Sequence, residues 1–354
     1  MEKILITGGA GFAGSSLALL LRDKYPKIKI IALDNLKRRG SELNLPRLKK
    51  KNIEFFHGDI RNPEDLEAVG GFDLMLECSA EPSVLAGCNE SPKYLINTNL
   101  LGTVNCLEAV RNNKAIIIFL STSRVYPVKA INQLLFTEEA TRFELAHKQE
   151  TAGISSKGIN EKFSLEGTRS LYGTTKLASE MLIQEYIETY GIKGVINRCG
   201  VLTGPWQMGK LDQGVVVLWL ARHIFNKKLS YIGFGGTGKQ VRDILHIKDL
   251  FKLIDLQMNS VNDFNGEIYN VGGGPEISVS LLELTKQCEE ITGKKIDIAS
   301  VKEIRPNDIP YYITDSSKIN KKSGWKPEIT CYEIFKEIAD WININKEILE
   351  PILS

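Results

Sequence analysis

The chain has 354 residues, enough for one large or two modest domains with a buried core. Its 45 basic and 43 acidic residues leave a net charge of +2 and form no basic stripe, so we expect neither a nucleic-acid partner nor a membrane partner. The six cysteines are scattered, with no CxxC pair and no nearby histidine, which predicts a reducing compartment and no metal site. No apolar run approaches membrane-spanning length, and a strand is predicted almost at the first residue. We therefore expect a cytoplasmic protein without a signal peptide.

The first predicted strand, residues 4–6, runs into a glycine-rich turn and then into a helical pattern at residues 17–21. The glycine spacing is G-x-x-G-x-x-G rather than the commoner G-x-G-x-x-G. Such a strand, turn and helix direct backbone N–H groups and a helix N-terminus at an anion, most often a dinucleotide pyrophosphate. A plain tight turn is the alternative. The candidate cofactor-binding residues in this turn are Gly8, Gly11, Phe12, Ala13 and Gly14.

The second predicted strand, residues 28–33, ends at Asp34, about twenty residues past the last glycine. An acidic side chain at this place binds the adenosine ribose hydroxyls and repels a 2′-phosphate. The combination predicts a dinucleotide site with NAD as the cofactor. Lys37, Arg38 and Arg39 follow Asp34 closely, so NADP remains an alternative.

Strands and helices continue to alternate after this point. Further strands are predicted at residues 53–56, 74–78, 115–120 and 194–199, and helices at residues 65–69 and 92–112. This alternation predicts an α/β fold with a doubly wound parallel sheet, covered on both faces, that binds ligands at the carboxyl ends of its strands. The polar residues at these ends are Asp34, Asp59, Ser79 and Ser121.

Tyr172 and Lys176 are spaced four residues apart, which places both side chains on one face of a helix. A nearby ammonium lowers the pKa of a tyrosine and makes it a usable general base. The spacing alone carries little weight, since two other tyrosine–lysine pairs in the chain share it and are better interpreted as surface pairs. Tyr172 differs from them because it follows the glycine turn and the strand end at Ser121 and Thr122.

Together these features resemble the extended short-chain dehydrogenase/reductase superfamily, the NAD-dependent nucleotide-sugar epimerases and dehydratases. The resemblance covers nearly the whole chain. Further matching segments are residues 99–103, 197–205, 242–249, 269–273 and 305–308. It implies a Rossmann-type sheet and a smaller, interleaved C-terminal substrate domain. The expected NAD-binding domain is residues 1–203 with 241–275 returning to it, and the expected nucleotide-sugar-binding domain is residues 204–240 and 276–354.

Within the superfamily, several stretches are similar to the CDP-paratose 2-epimerase group. They are residues 77–84, 121–127, 169–176, 197–210 and 233–243. In the related 4,6-dehydratases, the threonine at the strand end is followed by an Asp-Glu pair that eliminates water; here Ser123 and Arg124 follow Thr122. Arginine cannot act as an acid or base near neutral pH because its pKa exceeds about 12. Epimerisation is therefore expected, with a CDP-sugar favoured.

Three alternatives stay open: a UDP-hexose 4-epimerase, another epimerase or dehydratase of the superfamily, and a non-catalytic NAD sensor built on the same fold. The superfamily further suggests a homodimer or homotetramer. The sequence does not distinguish these possibilities, because the residues of the sugar pocket rather than the motifs decide between them.

The resemblance implies a role for each candidate residue. Tyr172 would take the proton of the sugar hydroxyl, Lys176 would hold the nicotinamide ribose, and Thr122 would hydrogen-bond the reacting oxygen. Besides the glycine turn, Tyr172 and Lys176, the expected cofactor-binding residues are Asp34, Asn35, Asp59, Ile60, Ser79, Ala80, Asn99, Ser121, Cys199 and Val201. The expected substrate-binding residues are Glu81, Thr122, Ser123, Arg124, Gln207, Met208, Gln213, Arg242, Arg305 and Asp308.

Arg242 and Arg305 are candidates for the diphosphate, because a guanidinium fork matches phosphate oxygens; a structural salt bridge with a neighbouring aspartate is the alternative. The long polar stretch between Tyr126 and Tyr172 is expected to cover the active site, with a surface excursion or a subunit contact as alternatives. Two capping boxes, Ser280 with Glu283 and Thr330 with Glu333, predict helix starts in the C-terminal part.

Overall fold

The structure is a computed structural model that describes residues 1–146, 148–210 and 213–353. The strands are β1 (Lys3–Thr7), β2 (Lys29–Asp34), β3 (Glu54–His57), β4 (Leu74–Glu77), β5 (Ile116–Thr122), β6 (Phe136–Glu138), β7 (Phe143–Leu145), β8 (Ile154–Ser155), β9 (Gly158–Ile159), β10 (Lys193–Cys199), β11 (Val201–Thr203), β12 (Leu229–Ile232), β13 (Val241–His246), β14 (Ile268–Val271), β15 (Ser278–Ser280), β16 (Ile298–Val301) and β17 (Tyr311–Tyr312).

The helices are α1 (Phe12–Lys24), α2 (Leu45–Lys50), α3 (Pro63–Ala68), α4 (Lys93–Ile96), α5 (Gly102–Asn113), α6 (Val128–Asn132), α7 (Leu171–Tyr190), α8 (Val215–Ile224), α9 (Ile247–Asn259), α10 (Val261–Phe264), α11 (Leu281–Thr292), α12 (Ser317–Ser323), α13 (Cys331–Ile344) and α14 (Lys346–Leu353). A π-helical segment, Asn97–Leu101, joins α4 to α5. None of the helices in the described part of the chain combines the length and apolar character needed to cross a membrane.

A parallel sheet confirms the predicted Rossmann-type architecture. Within the described ranges its seven strands lie in the order β14-β10-β5-β4-β1-β2-β3. Strand β1 pairs in parallel with β2 and β4, β2 pairs with β3, and β4 pairs with β5. The chain therefore extends the sheet away from β1 in one direction and then from β4 in the other. In such sheets the ligand binds at this change of direction, beyond the carboxyl ends of the strands.

The contacts between residues divide the described chain into two compact units. The first unit consists of Met1–Val125, Leu171–Arg198 and Leu250–Tyr269. Its core contains the apolar residues of the parallel strands, such as Leu5, Ile31 and Phe119, which are completely or almost completely buried. Parallel strands covered by helices on both faces bury consecutive residues, which explains why these strands read as continuous apolar runs.

The predicted helix at residues 92–112 is continuous but not regular. It comprises α4, the π-helical segment and α5. A π segment inserts one extra residue into a helix and is often found at functional sites. Here it contains Asn99, one of the predicted cofactor-binding residues.

The second unit consists of Tyr126–Ser170, Cys199–Asp249 and Asn270–Ser354. Its helix α8 is mostly apolar, is buried along nearly its whole length and packs against α11, α13 and α14. Helices α11 and α13 begin at the two predicted capping boxes, which are both formed. The Ser280 hydroxyl accepts the Glu283 N–H at 3.0 Å.

The unit boundaries differ from the expected domain boundaries. The sequence predicts residues 126–170 in the first domain, but they join the second unit, and of the predicted returning segment 241–275 only Leu250–Tyr269 lies in the first unit. Main-chain hydrogen bonds explain the difference: the Ile159 N–H donates to the Ile313 carbonyl at 2.8 Å, and the Phe143 N–H donates to the Lys239 carbonyl at 2.9 Å. Since this segment belongs to the second unit, that unit is no smaller than the first.

Candidate active site

Helix α7 carries Tyr172 in its first turn and Lys176 one turn later, as the spacing predicted. Tyr172 is half-buried, and its carbonyl accepts the Thr175 hydroxyl at 2.8 Å. Lys176 has only 2% of its side chain exposed. A fully buried lysine is rare unless its charge is compensated.

The compensating charge is the carboxylate of Glu77 at the end of β4. The Lys176 Nζ lies 3.7 Å from the Glu77 Oε2 and 3.7 Å from the centre of the Phe119 ring. The other carboxylate oxygen of Glu77 accepts the hydroxyl of Ser79 and lies 3.5 Å from that of Thr7. An ammonium over an aromatic face and beside a carboxylate is stabilised in its charged form by both neighbours.

The end of β5 is hydrogen-bonded to α7 at Glu180, one helical turn after Lys176. The Ser121 hydroxyl donates to the Glu180 carboxylate, which is also bound by the Arg198 guanidinium at 2.7 Å. Glu180 and Arg198 are almost completely buried, with side-chain exposures of 1% and 4%. Thr122 directly follows Ser121, so this bond ties the residue before the predicted catalytic threonine to the helix of Tyr172.

Thr122 is buried, and its hydroxyl oxygen accepts the main-chain N–H of Arg124 at 3.1 Å. The turn Ser123–Val125 that follows β5 packs against α7. The three predicted catalytic residues therefore lie on two elements of the first unit that are in direct contact.

Asn99 connects α7 to the loop after β4. Its side-chain oxygen accepts the Glu81 N–H at 2.8 Å, and its Nδ2 donates to the Glu81 carbonyl at 3.0 Å and to the Thr175 hydroxyl at 3.3 Å. The Asn99 carbonyl accepts the Ser179 hydroxyl at 2.9 Å. These bonds link the loop after β4 to α7 through Asn99, whose cofactor contact remains a prediction.

The glycine turn has the close approach that a dinucleotide fingerprint requires. A Cβ on Gly14 would lie 2.2 Å from the Gly8 carbonyl oxygen, so only glycine lets α1 start this close to the turn. Gly8 itself has a φ of +63°, in the left-handed region that favours glycine. These two requirements match those expected of a turn that binds a pyrophosphate.

The carboxylates of Asp34 and Asp59 lie at the end of β2 and just after the end of β3. The Asp34 carboxylate accepts the Ala10 N–H at 3.1 Å and the Leu36 N–H at 2.8 Å. Burial raises the pKa of Asp34, and these main-chain bonds partly offset the rise. For Asp59, hydrogen bonds from Arg61 and Asn35 outweigh the effect of burial and lower its pKa to about 2. Both groups are thus held by hydrogen bonds at the strand ends.

The remaining cofactor candidates lie at strand ends or beside them. Ile60 and Cys199 are buried, and Ala80 and Val201 are half-buried. Cys199 ends β10 and Val201 begins β11, both in the second unit.

Three predicted substrate residues of the second unit, Arg242, Arg305 and Asp308, are linked by hydrogen bonds. Arg242 donates to the Asp308 carboxylate at 3.1 Å and to the Ile309 carbonyl at 2.7 Å, so its partner is an aspartate 66 positions further along the chain. The Asp308 N–H donates to the Arg305 carbonyl at 3.2 Å. The sequence thus predicted two residues, Arg242 and Asp308, that the fold joins to each other.

Three further substrate candidates precede α8. The Gln207 side chain accepts the Thr203 hydroxyl at 3.0 Å and donates to the Leu202 carbonyl at 2.9 Å. Met208 is buried, and the Gln213 carbonyl accepts the Lys210 N–H at 2.6 Å. Gln207 and Met208 thus face the interior of the second unit.

Sequence reasoning missed Glu77, Glu180 and Arg198. Two of them offered a signal: Glu77 is an acidic residue in an otherwise apolar strand, and Glu180 lies four residues after Lys176, on the same helical face. In the described part of the chain, no group of three His, Cys, Asp or Glu residues could hold a metal ion.

Comparisons with known proteins agree with this geometry. Residues 4–272 match the model of the NAD dependent epimerase/dehydratase family. The chain is 31% identical to CDP-paratose 2-epimerase of Salmonella typhi, covering 96% of this chain and 98% of that protein. It is 30% identical to a putative UDP-glucose 4-epimerase of Methanocaldococcus jannaschii, covering 97% and 99%. The crystal structure of dTDP-glucose 4,6-dehydratase from Bacillus anthracis in complex with NAD superposes with a TM-score of 0.78 at 27% identity, covering both chains completely.

The family match spans about three quarters of the chain and includes the glycine turn, the end of β5 and the Tyr172–Lys176 helix. The predictions of an enzyme, of NAD as the cofactor and of the nucleotide-sugar superfamily are thereby confirmed. The chain belongs to the NAD dependent epimerase/dehydratase family.

Proposed function

We propose that this protein is a nucleotide-sugar epimerase that inverts C2 of CDP-paratose to give CDP-tyvelose. The observation that carries the proposal is the turn after Thr122. Ser123 and Arg124 occupy the two positions at which the 4,6-dehydratases that the chain resembles have an Asp-Glu pair. A guanidinium cannot transfer protons near neutral pH, so a site built on this turn lacks the acid and base that eliminate water.

The similarity to CDP-paratose 2-epimerase of Salmonella typhi over 96% of the chain supports the choice of CDP-paratose. The stretches at residues 77–84 and 233–243, which the sequence shares with that group, support it as well. We further propose a homodimer or homotetramer, on the analogy of the superfamily. Light scattering of the purified protein tests this proposal, and a monomer would contradict it.

Tyr172 acts as the general base in the proposed mechanism. Its phenolate takes the proton of the C2 hydroxyl, and the Thr122 hydroxyl hydrogen-bonds the same sugar oxygen. The sugar then carries a ketone at C2, and the phenol of Tyr172 returns the proton when the hydroxyl re-forms. No proton is gained or lost in the cycle, which is what an isomerisation requires.

Lys176 stabilises the phenolate with its positive charge and holds the nicotinamide ribose. When bound, NAD would supply the hydride acceptor and donor that oxidation and reduction of the sugar carbon require, and the centre is inverted if the sugar presents its opposite face for the return. Gly8, Gly14 and Asp34 would hold the dinucleotide at the ends of β1 and β2. Arg305 and Arg242, the latter released from Asp308, would hold the diphosphate of the substrate.

The test is proton NMR of the purified protein with CDP-paratose in D₂O. We expect the C2 epimer to appear without deuterium on carbon, because the hydrogen of C2 leaves and returns within one site. Deuterium at C3 would indicate that a 2-keto sugar forms and exchanges with solvent, which still supports oxidation at C2. The same experiment with dTDP-glucose, which keeps the C6 hydroxyl that CDP-paratose lacks, tests for elimination: a 4-keto-6-deoxy product would contradict the proposal and favour a dehydratase.

A UDP-hexose 4-epimerase is the second candidate, and the 30% identity to a putative UDP-glucose 4-epimerase supports it. The same NMR experiment with UDP-glucose separates the two. Formation of UDP-galactose, with CDP-paratose unchanged, would favour the second candidate. Bound NAD with no turnover of either sugar would instead favour a non-catalytic NAD-binding protein.

A further inference from the structure

Glu77 is a charged residue at the end of a central, buried strand of the sheet. It ends β4 between its register partners Thr7 of β1 and Phe119 of β5, at the change in strand order. Its side chain has 0% exposure. Charged groups are almost never buried to this extent unless they are paired, since desolvation of a single carboxylate costs several kcal/mol.

The two oxygens of this carboxylate have different surroundings. Oε1 accepts the Ser79 hydroxyl and lies near that of Thr7. Oε2 has no hydrogen-bond donor among the described residues and lies 3.7 Å from the Lys176 Nζ. Two hydroxyls thus fix the carboxylate through one oxygen and leave the other facing the ammonium.

We propose that Glu77 is a positioning residue for the epimerisation: it keeps Lys176 charged and in place beside Tyr172. The inference rests on the proposed function for the reaction that it serves. Apolar side chains would fill this part of the sheet at lower cost. A buried carboxylate at this place gives the ammonium the partner that it needs when it leaves water.

Other charged and titratable groups also face Lys176. On α5, burial and the negative charge of Glu77 raise the pKa of the Cys106 thiol, and Lys176 partly offsets the rise. That thiol therefore stays neutral near pH 7. On α7 itself, Tyr172 and Glu180 lie one turn away on either side, and Glu180 is already paired with Arg198 of β10. Glu77 is thus an anion paired with Lys176, and its removal takes the negative charge of this pair away from a buried ammonium.

The consequence is a change in the pH dependence of Tyr172. In a Glu77→Gln variant, the buried ammonium loses its counter-ion and gives up its proton more easily. Tyr172 then loses the positive charge that stabilises its phenolate. We expect the rising limb of the kcat profile to move to higher pH by about one unit or more, with at least an approximately tenfold loss of kcat at neutral pH.

The first experiment measures phenolate formation by ultraviolet difference absorbance in the NAD-saturated full-length protein. The contribution of Tyr172 is the difference between each protein and its Tyr172→Phe counterpart. This readout needs no sugar substrate, so it tests Glu77 even if CDP-paratose is not converted. Failure of the proposed function would appear in the NMR experiment instead.

The matched control is Glu108→Gln, which removes a carboxylate of the same unit that pairs with Arg111 at the surface. We expect the Tyr172 titration to be unchanged in this control and shifted to higher pH in Glu77→Gln. An unchanged titration in Glu77→Gln, or a shift to lower pH, would overturn the proposal.

A double variant keeps the test informative if Glu77→Gln folds poorly. Glu77→Gln with Lys176→Gln removes both charges and leaves no uncompensated ion. We expect this protein to have a higher melting temperature than Glu77→Gln alone. An equal or lower melting temperature would mean that the two groups are not energetically coupled and would refute the pairing on which the proposal depends.

Discussion

Helices α7 and α8 are buried in opposite ways. The buried side of α7 contains Lys176, Ser179 and Glu180, each of which has a specific polar partner. In contrast, α8 is buried through Val216, Leu220 and their apolar neighbours.

The difference shows what each kind of contact is suited to do. Apolar contacts are non-directional and tolerate small shifts, whereas hydrogen bonds and ion pairs fix the distance and angle between particular atoms. Helix α8 stabilises the second unit. Helix α7 holds a candidate base at a fixed position, and its buried charges carry a desolvation cost that a purely structural helix would avoid.

The largest expected effect is a decrease in kcat, with little change in stability, when Tyr172 of α7 is replaced. Tyr172→Phe removes only a hydroxyl from a half-buried side chain, so we expect the loss of one proton-transfer group with little change in stability. The predicted decrease in kcat is about 10²–10⁴-fold. Turnover by NMR and urea denaturation measure the two effects. Turnover within a factor of two of the wild type would show that Tyr172 is not the base.

The next largest effect concerns the buried pair of Glu180 and Arg198. Arg198→Met leaves the Glu180 carboxylate buried without its cation, which we expect to lower the free energy of unfolding by about 3–5 kcal/mol. Replacing Glu180 by Leu in the same protein should restore most of the loss, because no unpaired charge remains. Denaturation midpoints of the single and double variants provide the measurement. A loss below about 1 kcal/mol in Arg198→Met would mean that the pair does little to hold α7.

The corresponding change in α8 should affect stability alone. Leu220 is completely buried, and Leu220→Ala leaves a cavity that we expect to cost about 2–5 kcal/mol. Because α8 carries no candidate catalytic group, kcat of the folded protein should stay at the wild-type value. If kcat fell along with stability, the distinction between a positioning helix and a stabilising helix would fail.

The smallest effect concerns Asp243, whose carboxyl group is completely buried. In Asp243, burial outweighs the hydrogen bonds of Thr314 and Gly274 and raises the pKa to about 6. The folded state therefore holds this proton more tightly than the unfolded state. The contribution of this proton to the free energy of unfolding is largest below about pH 4 and decreases as the pH rises from about 4 to 6. Above about pH 6 the contribution is lost and no longer changes with pH.

Asp243→Asn removes this titration. We expect the stability of the variant, relative to the wild type, to increase between pH 4 and pH 6 and to level off above about 6. Urea denaturation of both proteins across this range checks the expectation. A constant difference between the two proteins would mean that the pKa of Asp243 is not raised.

The sequence determined those features that depend on residues close together in the chain. The glycine turn, the alternation of strands and helices, the capping boxes and the spacing of Tyr172 and Lys176 are local patterns, because backbone conformation and helical periodicity act over a few residues. Those patterns were sufficient to predict a doubly wound sheet with a dinucleotide site, and the family followed from a resemblance that also rests on further segments along the chain.

Only the tertiary structure decided which distant residues meet. Glu77 and Lys176 lie 99 positions apart by their residue numbers, and no local pattern links them. The same holds for Arg242 with Asp308, and for residues 126–170, whose place in the second unit depends on hydrogen bonds to residues far along the chain. Such pairs form because buried charges and main-chain groups need partners, and the fold alone determines which partners come within reach.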